Sequence, residues 1–209
     1  MTPEVERLTL RTRDGLALEA EAVVPADSTR AVLLAHPHPE HGGSMRSLVT
    51  SELFRDLPGR GCTVLRFNFR GVERSEGVHG GGRDERLDVV AGLDALADRA
   101  PALATAVAGW SFGADVSLSV LDERIDGWFA VAPPLRILAP EDYTAGADPR
   151  PKLLAVPERD QFNPPAACRD KVAAWTHTEI VVVPGADHFL AGRTGQLADL
   201  LAGFLAGLR

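Results

Sequence analysis

The chain has 209 residues, of which 45% are hydrophobic and 24% charged, with a formal net charge of −7; this is the balance of a globular protein with a core, not of a disordered tail or a fibrous repeat. Its Lys and Arg residues are scattered, with no run that would track a phosphate backbone, which argues against nucleic acid as a partner. No window of about eighteen apolar residues occurs, and residues 1–10 alternate charged with apolar side chains, which argues against a leader or a membrane anchor. Cys62 and Cys168 are the only cysteines, and the simplest reading is two reduced thiols of a cytoplasmic protein, with a single bridge between them as the alternative. One domain over residues 1–209 is expected.

Residues 5–12 and 16–24 alternate apolar with polar side chains, and Asp14-Gly15 between them is a hairpin signal. Ala31-Val32-Leu33-Leu34-Ala35 is a short unbroken apolar run, as in a strand covered on both faces, and it stops at His36-Pro37-His38-Pro39. Residues 62–69, 105–110, 127–132, 152–156 and 179–183 read as further buried strands. Apolar residues three and four apart predict helices over 48–57, 87–97, 116–121 and 197–208. Strand alternating with helix predicts an α/β protein: a mostly parallel sheet of about eight strands, helices on both faces, led by an antiparallel hairpin. About twenty residues separate Ala132 from Lys152, too few for a substantial lid.

Gly109-Trp110-Ser111-Phe112-Gly113 fits G-x-S-x-G, with an apolar run before it and a helical pattern after it. A strand turning into a helix within so few residues leaves Ser111 exposed at the end of the sheet and the Phe112 N–H free to meet an oxyanion. The plain alternative is that Ser111 only caps the helix. A serine nucleophile needs a base, and the base needs a carboxylate to orient it. His188 follows the last predicted strand in Pro184-Gly185-Ala186-Asp187-His188 and is the candidate base. Asp160 follows the strand over 152–156 and is the candidate orienting acid; Glu158, closer to the strand end, and Asp187, adjacent to the histidine, are the less favourable choices. A second oxyanion donor is sought in the loop after the third strand, where Pro37 and Pro39 have no N–H; the His38 main chain is the candidate. His36, His38 and His41 also spell H-x-H-x-x-H, but alternating prolines extend the run and no carboxylate or thiol is spaced to complete it, so no metal site is expected. Residues 77–83 lack the ending of a phosphate-binding loop and read as a flexible loop.

Taken together, His36-Pro37-His38-Pro39 with Gly42-Gly43, the run Leu65-Arg66-Phe67-Asn68-Phe69-Arg70-Gly71 with Ser75-Glu76-Gly77, the serine pentapeptide, Ala132-Pro133-Pro134 and Pro184-Gly185-Ala186-Asp187-His188-Phe189 resemble the small, lid-poor α/β-hydrolases of bacteria. These are akin to dienelactone hydrolases but use serine as nucleophile. The resemblance implies the α/β-hydrolase fold and a cytosolic, esterase-like protein without a cofactor. The expected activity is hydrolysis of a small ester or thioester through Ser111, His188 and Asp160. An acyltransferase or peptidase on the same three groups, or a binding protein that has kept the fold, are the alternatives. The chain departs from the family pattern at Glu73 and Pro157, where relatives usually carry glycine.

Overall fold

A computed structural model describes residues 4–208; Met1, Thr2, Pro3 and Arg209 lie outside the described residues, and with them the start of the segment expected to lack a leader. Strands β1 (Glu6–Arg11) and β2 (Ala17–Val23) pair antiparallel with Leu10 opposite Leu18. β2 continues antiparallel onto β4 (Cys62–Phe67). From there β3 (Arg30–Ala35), β5 (Ala104–Trp110), β6 (Gly127–Val131), β7 (Lys152–Pro157) and β8 (Thr178–Val183) are parallel. The result is one eight-stranded sheet in the order β1-β2-β4-β3-β5-β6-β7-β8.

The unbroken apolar runs are the central strands because both of their faces must be covered. Helices α1 (Leu48–Asp56) and α5 (Thr194–Ala206) cover one face, where Leu53, Phe54, Val64, Phe129, Leu197 and Leu201 pack together. Helices α2 (Glu85–Arg99), α3 (Phe112–Leu118) and α4 (Pro165–Lys171) cover the other, around Leu33, Phe67, Phe69, Val107, Phe112 and Trp128. Cys62 belongs to the first cluster and Cys168 to the second, and neither is paired.

Several boundaries differ from the sequence reading, each for a local reason. β4 ends at Phe67, because the Phe69 N–H leaves the ladder and donates to His36 Nε2 at 3.0 Å. α3 ends at Leu118, where the Ser119 hydroxyl takes the Val116 carbonyl at 2.7 Å and closes the last turn. The sequence predicts a buried β8, yet Glu179 is exposed and Ile180 to Val182 are half-covered, since β8 is the sheet's outer edge. α4 shows no clear apolar period in the sequence, for only Cys168 of its seven residues is buried.

Two features of the topology create the site. β3 and β5 are neighbours, with Ala35 opposite Gly109, but their chains leave in opposite directions, to β4 on one side and β6 on the other. Such a switch opens a crevice at the carboxyl ends of the two strands. The crevice has little cover: residues 132–151 form two short 3-10 turns, Pro140–Asp142 and Thr144–Ala147, and no α-helix.

Candidate active site

Ser111 stands between β5 and α3 at φ 54°, ψ −115°, a conformation that L-residues rarely adopt and that needs support from the surroundings. Its N–H donates to the Val131 carbonyl at 2.9 Å, and its carbonyl accepts from Ala114 and Asp115 at 2.9 and 3.1 Å. The flanking glycines are needed for space: a Cβ on Gly109 would lie 2.3 Å from the Gly113 oxygen, and one on Gly113 would lie 2.4 Å from the Ala35 oxygen. The tight turn leaves the Ser111 hydroxyl half-buried in a cavity of about 480 Å³.

The His188 ring spans from Ser111 to Asp160, with Nε2 2.9 Å from Ser111 Oγ and Nδ1 2.9 Å from Asp160 Oδ2. An ionised carboxylate only accepts, so Nδ1 carries the ring hydrogen and Nε2 presents a lone pair to the serine hydroxyl. That is the state in which a serine can pass its proton to a histidine. Asp160 is itself fixed, for its other oxygen accepts from the Phe162 and Asn163 N–H groups at 2.8 and 3.1 Å. Glu158 and Asp187 are engaged elsewhere: Glu158 accepts the Gly185 N–H at 2.6 Å, and Asp187 accepts the Phe189 and Leu190 N–H groups at 3.0 and 3.2 Å.

Neither the Phe112 N–H nor the His38 N–H donates to a protein acceptor among the described residues. The His38 ring lies 5.0 Å from the Phe112 ring, and His38 lines the same cavity as Ser111. The histidines of the H-x-H-x-x-H run part company. His36 is fully buried, with Nδ1 donating to the Pro37 carbonyl at 2.6 Å, and burial lowers its pKa to about 4. His38 and His41 remain at the rim, their rings 4.6 Å apart, and His79 from the glycine-rich segment brings its ring 5.1 Å from that of His38. Burial lowers the pKa of His38, with the neighbouring His41 and His79 charges adding to it.

Residues with no catalytic role read from the sequence complete the cavity. Phe162 packs edge-on against the His188 ring at 4.5 Å and supports the Arg136 guanidinium at 5.0 Å. Trp110 donates from its indole to the His188 carbonyl at 3.3 Å. Pro134, Ile137 and Phe189 form the apolar walls. Phe162 follows Asp160 by two positions, and Trp110 and Phe189 directly adjoin Ser111 and His188, which is the hint the chain gives of their place at the site.

No family model matches the chain. An uncharacterised protein of Rickettsia prowazekii (strain Madrid E), RP471, is 31% identical over 183 residues, covering 83% of this chain and 77% of that one. An α/β serine hydrolase homologue from Coxiella burnetii superposes with a TM-score of 0.84 at 31% identity, over 96% of this chain and 97% of the other. A lid-less α/β serine hydrolase from Xanthomonas campestris gives 0.85 at 27% identity, over 97% and 94% of the two chains. Fold and crevice define an α/β hydrolase. The chain belongs to the α/β-hydrolase superfamily, alongside these serine hydrolase homologues.

Proposed function

We propose that the protein is a serine hydrolase that cleaves a small ester through an acyl-enzyme. Ser111 Oγ attacks the carbonyl carbon while its proton passes to His188 Nε2; the carbonyl oxygen, now negative, is met by the Phe112 and His38 N–H groups. Collapse expels the alcohol, which takes the proton from His188. A water molecule then repeats the sequence, yielding the acid and restoring Ser111. Asp160 orients the ring and stabilises its charged form. A thioester would use the same parts.

The observation that carries this reading is the continuous hydrogen-bonded path from Ser111 through His188 to Asp160, 2.9 Å at each step. A small substrate is supported by the cavity of about 480 Å³ and by the absence of any α-helix across it in residues 132–151. Unpaired, buried Cys62 and Cys168 support a cytoplasmic setting. Treatment with a fluorophosphonate probe tests the mechanism: mass spectrometry is expected to find one adduct, on Ser111, absent from Ser111→Ala and strongly reduced in His188→Ala. Wild-type protein that stays unlabelled would overturn it.

A further inference from the structure

The glycine-rich loop after β4 brings His79 against the loop after β3, where it meets His38 and Glu40. One ligand-capable atom from each of these three residues lies within 4.8 Å of the other two. Neither ring nitrogen of His79 makes a hydrogen bond among the described residues. Nδ1 is buried and lies 3.0 Å from Glu85 Oε1, but out of line for a hydrogen bond, and Nε2 is 4.0 Å from Glu40 Oε2. Glu85 is itself wholly buried and fixed by the Gly80 and Gly82 N–H groups at 2.7 and 2.8 Å. The cluster therefore places two imidazoles and one carboxylate around one point, with a second, buried carboxylate beside the His79 ring.

We propose that His38, Glu40 and His79 form a binding site for a zinc ion; a turn of the His79 ring on loading would bring its Nδ1–H into line with the buried Glu85 carboxylate, 3.0 Å away. Two imidazole nitrogens and one carboxylate oxygen suit a borderline cation such as zinc, whereas magnesium and calcium select sets of oxygens. A carboxylate behind a ligating histidine is the usual support for such a ring. Tetrahedral bonds of about 2.0–2.1 Å set donor atoms about 3.4 Å apart, so donors that now lie within 4.8 Å of one another must close by at most about 1.4 Å. Glu40, with 68% of its side chain exposed, is free to make that movement.

The ion would tie two loops together behind the nucleophile. The His38 and His79 rings both pack on Phe112, at 5.0 and 5.2 Å, so the site braces the loop that carries the His38 N–H without touching Ser111. Binding itself does not depend on the proposed ester chemistry.

Calorimetric titration of zinc chloride into the full chain, first stripped with EDTA, tests the site. One ion per chain is expected, with Ser111→Ala binding like wild type and Glu40→Gln and His79→Ala each weakening binding at least tenfold; magnesium in excess should not compete. Glu40 is exposed, so Glu40→Gln leaves the fold intact and its result stands alone. Absence of saturable zinc binding, wild-type affinity in Glu40→Gln and His79→Ala, or binding lost only in Ser111→Ala would each overturn the proposal.

Discussion

Asp115, in the first turn of the helix that follows Ser111, accepts the Tyr143 hydroxyl at 2.9 Å from across the connection between β6 and β7. The same carboxylate accepts the N–H groups of Leu135, Arg136 and Ile137 at 2.9, 3.1 and 3.1 Å. Burial pushes the Asp115 carboxyl above the usual range, against the pull of these four donors. The loop that walls the cavity is thus clamped to the helix of the proposed nucleophile. Asp115→Asn turns one acceptor into a donor facing backbone N–H groups, and should cost about 2–3 kcal/mol of stability in urea unfolding. In the folded fraction it should raise KM more than it lowers kcat. Tyr143→Phe removes one bond only and should cost about 1 kcal/mol.

The glycines flanking Ser111 should be intolerant for steric reasons alone. With a Cβ 2.4 Å from the Ala35 oxygen, Gly113→Ala forces β3 and α3 apart and is expected to lose more than about 3 kcal/mol or fail to fold. Gly203 in α5 is different, for a Cβ added there would meet nothing within 4 Å, so Gly203→Ala should gain up to about 1 kcal/mol. Thermal melts of the two variants side by side measure the contrast.

Asp160 should be distinguishable from its acidic neighbours by kinetics. Asp160→Asn leaves the side chain in place but disturbs the tautomer of His188, and kcat for an ester should fall by about 10³ or more. Glu158→Gln and Asp187→Asn, whose carboxylates serve backbone N–H groups, should stay within about tenfold of wild type. An Asp160→Asn variant as active as Glu158→Gln would remove Asp160 from the mechanism.

His36 should make the fold sensitive to mild acid. Burial holds its imidazole near 4, below the ordinary value of 6.5, so the unfolded chain binds the proton first as pH falls. Its effect is nil above pH 6.5, and stability is lost progressively between 6.5 and 4. The span corresponds to about 3 kcal/mol. Urea midpoints between pH 7 and pH 4, measured in EDTA, should drop accordingly, and His36→Gln, less stable at pH 7, should show a flatter profile.

Apolar runs and turn residues make the strands legible, because burial on both faces leaves a composition that the sequence displays directly. Edges are another matter: β8 carries the same aliphatic composition as the inner strands, and only the neighbour it lacks leaves it half-exposed. Glu73 shows the reverse, a visible departure from the family pattern with a structural explanation. It sits at φ 49°, where glycine is at ease, and its carboxylate is engaged by Arg46 and by Asn68 Nδ2. At the candidate site, strand-end positions single out Ser111, Asp160 and His188, and these three side chains do meet. The histidine and glutamate cluster is hidden because spacing within the 36–41 run says nothing of His79, which arrives from a separate loop. Phe162 and Arg136 are hidden likewise, since contacts between loops leave no period in the chain.

The central claim is that Ser111 is a nucleophile activated by His188, and steady-state hydrolysis of p-nitrophenyl acetate by wild type, Ser111→Ala and His188→Ala tests it most directly. Rates in both variants should fall by at least about 10³, and the double variant should be no slower than either single one, because the two groups act as a unit. Equal rates in wild type and Ser111→Ala would contradict the account.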